Sequence, residues 1–194
     1  MKIRFPVLIG VGVAALLPIV IPLCCSGDEF LDDAMERYDF ASWAGTTNML
    51  YTTIAQPVDI LSINLPTNGI STTTKYIDDT ERHEKQLMVF SPSDKTFLLR
   101  IRTGHGATVL DAQNELIRTL SDSATVRLFS VTNGLAGDRC YCKFVPNRFG
   151  YVTFARNNIF VEVLAHTTNS ISVADIAVQL DAAILNASTN APGR

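Results

Sequence analysis

Cys140 and Cys142, in the stretch DRCYCKF, are the first pair of side chains in this sequence with reactive chemistry at a suggestive spacing. Two thiols one residue apart suit a redox-active pair or half of a metal site. In an extended strand, residues i and i+2 point the same way, and their Cβ atoms are too far apart for unstrained S–S geometry. The plain alternative is two small apolar side chains packed on one face. A metal site needs further ligands, and the chain has no partner Cys-x-x-Cys and no His pair. No metal or other cofactor is therefore expected.

The three histidines are His83, His105 and His166. His83 lies in DDTERHEK, which is expected to be a charged, solvated loop. His105 lies in TGHGAT, between a strand and a helix cap. The glycines on either side allow an unusual turn from which the imidazole reaches a ligand, so His105 is a candidate contact. Arg100 and Arg102 alternate with Phe97, Leu99 and Ile101 in FLLRIR. They are expected on an outward strand face, keeping it soluble or binding an anion. The chain has no Gly-x-Ser-x-Gly, no His-Glu-x-x-His, no Walker loop and no dinucleotide fingerprint. No catalytic residue is assigned.

These residues have to be held by elements, and the elements occur twice. LPTNGIS at 65–71 returns as SVTNGLA at 130–136, and Asn-Gly between two extended runs marks a β-hairpin. Further on, residues 86–120 lie on 150–184 without a gap. Phe90 falls on Phe154 and Thr103 on Thr167, and a period of 2 gives way to a period of 3.6 at the same place. Thr108 with Asp111, and Ser172 with Asp175, read as matching capping-box starts. Behind them run Val109, Ala112, Leu116, Leu120 and Val173, Ile176, Leu180, Ile184, each the buried stripe of a helix.

The expected fold class is α+β, a tandem duplication of a β-β-β-β-α unit over 58–121 and 123–186. Units this small need a shared core. The expectation is antiparallel sheet with the helices on one face and pseudo-two-fold symmetry. Residues 26–57 form an acidic tether with room for a short helix through Phe30, Leu31, Met35 and Tyr38. Residues 187–194 form a flexible tail.

The first 25 residues have the charge layout of an export signal, with Lys2 and Arg4 ahead of an uncharged run from Phe5 to Cys25 and then SGDEFLDD. Three fates fit: cleavage near Ser26, retention as a membrane anchor, or lipidation at Cys24 or Cys25. An uncleaved helix of this length spans about 30 Å. All three place the rest of the chain outside the cytoplasm, whether periplasmic, membrane-tethered or secreted. The net charge of −3 becomes more acidic once the leader is set aside. With no basic stripe and no interleaved aromatics, nucleic acid is not an expected partner.

PLCCSG resembles the end of a bacterial lipoprotein signal, although Leu23 or Cys24 stands where that pattern has Gly, Ala or Ser. The stretch 135–186, with GLAGDRCYC, GYVTFARNNIFVEVLA and SVADIAVQLDAAIL, is similar to a pattern in uncharacterised exported bacterial proteins, often lipoproteins. The tandem layout of four strands and a helix also looks like that of secreted β-lactamase inhibitory proteins. That second likeness implies a fold and carries no function.

The expected function is an exported, envelope-associated, non-enzymatic binding or accessory domain, joined to the membrane by its N-terminal segment and engaging a protein partner. Two alternatives are a small-ligand carrier with a pocket between helices and sheet, and a thiol redox protein using Cys140 and Cys142.

Overall fold

The computed structural model describes residues 26–44, 71–79, 82–121, 130–131, 134–145, 148–165 and 171–189. In chain order the elements are α1 (Ser26–Arg37), α2 (Phe40–Ala44), β1 (Ser71–Asp79), β2 (Arg82–Phe90), β3 (Phe97–His105) and α3 (Val109–Leu120). They continue with β4 (Ser130–Val131), β5 (Arg139–Val145), β6 (Arg148–Arg156), β7 (Ile159–Ala165) and α4 (Val173–Thr189). The fold is α+β. Among the described residues the strands form one antiparallel sheet in the order β1-β2-β3-β7-β6-β5-β4. The segment expected to form the opening strand of the first unit, with Thr67, Asn68 and Gly69, lies outside the described residues.

The join between the halves is the β3–β7 ladder, where Ile101 faces Val163, Arg102 faces Glu162 and Thr103 faces Val161. Alternation along these strands sorts side chains onto two faces. Leu99, Ile101, Val161, Val163, Val152 and Phe154 enter one core with Ile176, Leu180 and Ile184 of α4. Phe160, Ala155 and Tyr141 enter a second core on the opposite face, with Leu116 and Leu120 of α3 and Tyr38 and Trp43 of the N-terminal helices.

The expectation of helices on one face is therefore corrected: α3 and α4 cover opposite faces, and both pack on β6 and β7. The cause lies in the inner strands. In β7, Ile159, Val161 and Val163 point one way and Phe160 the other, all nearly fully buried, so each face needs its own cover. A two-fold axis normal to the sheet would leave both helices on one side. Such a rotation can relate the strands alone and not the complete units.

Local chemistry accounts for the ends of the elements. Thr108 Oγ1 accepts from Asp111 N at 3.2 Å, and Asp111 Oδ2 accepts from Thr108 N at 2.7 Å, a complete capping box on α3. Ser172 Oγ accepts from Asp175 N at 3.2 Å at the start of α4, and α4 runs on through Thr189, into the stretch expected as tail. The β6–β7 connection is a two-residue turn whose first residue, Asn157, has φ +54°. The β2–β3 connection is longer, with Lys95 at φ +58°. His83 lies within β2, opposite Asp78 and His105, and not in the expected loop. The β4–β5 hairpin exists, but Val131 pairs with Tyr141, so its connection is wider than a two-residue Asn-Gly turn. Gly134 and Gly137 carry its positive φ values.

The N-terminal acidic segment packs against the sheet. Leu31 and Ala34 on α1 and Tyr38 just past its end, spaced 3 and 4 apart, turn inward, while Asp32, Asp33 and Glu36 stay exposed. Tyr38 meets Tyr141 edge to face at 5.0 Å between centroids, and Trp43 stacks on Tyr141 at 5.8 Å. Trp43 Nε1 donates to the Tyr38 carbonyl at 2.7 Å, so the indole is buried with its polar atom satisfied.

Candidate ligand cleft

β3 ends in Thr103, Gly104 and His105, and Gly106 and Ala107 carry the chain up to the Thr108 cap and back over the sheet as α3. Small residues at this corner leave space. Gly104 and Ala112 supply almost no bulk under the helix, and a cleft of ≈ 330 Å³ opens between α3 and the β2–β3 pair. Gly104, His105, Gly106, Ala107 and Phe160 line it on the sheet and loop side, and Ala112 on the helix side. Glu84 comes from β2, and Asp111, Asn114, Glu115 and Arg118 come from one face of α3.

His105 is held in place. Asn158, buried in the β6–β7 turn, donates from Nδ2 to the Gly106 carbonyl at 2.6 Å and lies 3.2 Å from His105 Nε2. With the amide as donor, Nε2 is the accepting nitrogen. Gly106 N donates to the Asn158 carbonyl at 2.9 Å, so the loop and the turn clasp each other. Gly106 is required here, because a Cβ would lie 2.5 Å from Asp111 Cβ.

Behind the cleft lies a charge cluster. Arg102 Nη2 meets Glu162 Oε2 at 2.9 Å and donates to Thr119 Oγ1 at 3.1 Å. Arg100 pairs with the other oxygen of Glu162. Glu84 and Glu115 approach Arg102 from two sides, each at 3.7 Å, and the guanidinium sits 5.0 Å above the Phe160 ring. Glu162 is 2% exposed. Burial, and then the Glu162 carboxylate nearby, push the Tyr151 phenol above its ordinary range.

The structure thus brings His105 into a cleft but does not bring Arg100 and Arg102 there as lining. The expectation that these arginines keep an outward face soluble is corrected: α3 covers that face, and they neutralise a buried acid. Glu84, Asp111, Asn114, Glu115 and Arg118 were not singled out as site residues. The signal for the helical four was their spacing, since 111, 114, 115 and 118 fall on one helical face.

Cys140 and Cys142 are both thiols, 5% and 0% exposed, in the core beneath α4. Burial pushes the Cys140 thiol up to about 12. Thiol exchange needs an accessible thiolate, so this geometry favours packing. Asp138 pairs with Arg156 at 2.8 Å, and Arg156 also forks onto Asp181 with two bonds of 2.7 Å. Among the described residues no group of three or more His, Cys, Asp or Glu could hold a metal ion, and no helix is long and apolar enough to cross a membrane. Cys24, Cys25 and the whole leader lie outside the described residues.

Comparison of the chain with known protein families, curated proteins and solved structures finds no match.

Proposed function

We propose that this chain is an exported, extracytoplasmic binding domain that holds a small polar ligand in the cleft between α3 and the β2–β3 pair. The observation that carries the proposal is the contrast between filled cores and an unfilled corner. Both faces of β6 and β7 are packed with large side chains, whereas at Gly104, Ala107 and Ala112 space is left and ringed with polar groups. A concave site of a few hundred Å³ with convergent polar side chains suits a small molecule. An apolar cargo would want the hydrophobic interior, which is occupied.

Gly104→Val tests this. A Cβ at Gly104 meets only Phe160, at 3.6 Å or more, an ordinary contact. The larger side chain therefore suits the strand and fills the cleft floor. A thermal-shift screen of polar metabolites against the wild-type chain and this variant is expected to find compounds that stabilise the first and not the second. If every stabilising compound acts equally on both, the cleft is not the site.

Export rests on the leader's charge layout, and cell fractionation of the full chain tests it, with the cytoplasmic fraction as the adverse result. Descent from a duplicated unit is supported by two antiparallel meanders, β1 to β3 and β5 to β7, each followed by a helix with a Thr or Ser cap. The helices then settled on opposite faces.

A further inference from the structure

We infer that the ligand class of the cleft is a neutral sugar; this rests on the proposal that the cleft is the binding site. The reason is the order of acceptors and donors along its rim. Asp111, Asn114 and Arg118 lie three and four residues apart on one face of α3, and all three line the cleft. Asp111 and Arg118 are exposed and Asn114 is half-buried, so their polar ends are open to a ligand. Asp111 Oδ2 accepts from Thr108 N and Oγ1. Among the described residues nothing pairs with Asp111 Oδ1, with the Asn114 amide or with the Arg118 guanidinium. The rim thus runs from carboxylate through amide to guanidinium over about 10 Å of helix. Glu84 and Glu115 are ion-paired with Arg102 and belong to the wall.

Such a rim discriminates by the kind of group it meets. A ligand carboxylate or phosphate that suits Arg118 meets the Asp111 carboxylate at the other end, and a ligand cation that suits Asp111 meets Arg118. A hydroxyl donates and accepts at once, so a row of neighbouring hydroxyls matches carboxylate, amide and guanidinium in turn. The floor agrees with the rim. Gly104, Ala107 and Ala112 leave it shallow and apolar, with Phe160 beside Gly104. That surface suits the C–H face of a pyranose ring, whose hydroxyls then point at the rim. The volume, ≈ 330 Å³, is at the small end of the range for small-molecule sites, about 300–1,000 Å³.

The test is calorimetric titration of the full chain with glucose, galactose, mannose and N-acetylglucosamine, and separately with glutarate and the zwitterion 6-aminohexanoate. Saturable binding of at least one sugar is expected, with a Kd of about 1 mM or tighter and less than about a twofold change between low and high salt. Asn114→Ala and Arg118→Ala are each expected to weaken it about tenfold or more. Neither side chain makes a described contact that holds the fold, so both variants are expected to melt like the wild-type chain. If all four sugars fail to bind, or bind these two variants as well as the wild-type chain, the assignment falls. If glutarate or 6-aminohexanoate binds in their place and Gly104→Val removes that binding, the cleft stands and the sugar assignment falls. If a sugar binds equally well to Gly104→Val, both the assignment and the cleft are overturned.

Discussion

Arg102 and Glu162 face each other across the β3–β7 ladder, and their side chains meet at 2.9 Å beneath α3. One register position thus joins the two halves of the sheet by backbone pairing and by charge. Glu162 also holds Arg100, so a single nearly inaccessible carboxylate offsets two guanidinium groups.

Removing that carboxylate leaves both arginines without their main partner. Glu162→Gln is expected to destabilise the protein by about 3–5 kcal/mol, the cost typical of breaking a buried pair from one side. Urea denaturation measures it, with the fluorescence of Trp43, the sole tryptophan, as a reporter buried in the same core. A loss within the range of an exposed ion pair would show that α3 does not exclude water from this face.

The Arg156 fork binds the β6–β7 turn to α4 through Asp181 and to the Gly137 loop through Asp138. Asp138 is the more exposed partner, at 33% of its side chain against 12% for Asp181. Asp181→Asn is expected to cost about 2 kcal/mol and Asp138→Asn less than about 1 kcal/mol. The ranking, read from chemical denaturation, is the firm part of the prediction.

Alkaline pH should weaken the fold through groups that burial keeps protonated. The Cys140 thiol and the Tyr141 phenol both rise to about 12, from ordinary values of 9.0 and 10.0. Below those ordinary values both groups are protonated in the folded and the unfolded chain, and their contribution to stability is fully present. Above them the unfolded chain gives up protons that the folded chain keeps, so stability falls as pH rises toward about 12. Urea midpoints are expected to decline across this window, and less steeply in Cys140→Ala. Thiol labelling at neutral pH, located by mass spectrometry, is expected to reach Cys140 and Cys142 only after denaturation. Rapid labelling of the folded chain, or a reversible bond between the two, would restore the redox role.

Two neighbouring glycines should respond differently to substitution. Gly104→Ala adds a Cβ in ordinary contact with Phe160, whereas Gly106→Ala drives one to 2.5 Å from Asp111 Cβ and 3.1 Å from the Thr108 carbonyl. The first is expected to change stability by less than about 1 kcal/mol and the second to lower it by about 1–3 kcal/mol. Thermal denaturation of the two variants side by side checks it.

The elements that local rules govern were legible in the sequence. The α3 cap follows from Thr108 and Asp111, the α4 stripe from apolar spacing, and β3 and β7 from alternation. What escaped was information held between elements. Alternation in β7 shows two faces but not what covers each, so Phe160 gave no warning that α3 would roof its side of the sheet. Glu162, an acid inside an apolar run, signalled a need for a partner. Its partners lie 62 residues back at Arg100 and 60 back at Arg102, and they follow only from the β3–β7 pairing. The cleft was least legible, because it depends on where small residues coincide in space. Of its lining, His105 carried a cue in its flanking glycines and the four α3 residues in their helical spacing, and neither cue marks a cleft by itself.

The placement of α3 also bears on how the chain is made. The helix is complete once residue 120 has been synthesised, but two of the strands it covers, β6 and β7, come later. Until they emerge from the ribosome, the part of the sheet that Leu116, Ile117 and Leu120 close on is incomplete. That interval exposes an apolar helix on an unfinished chain, the kind of surface that chaperones capture.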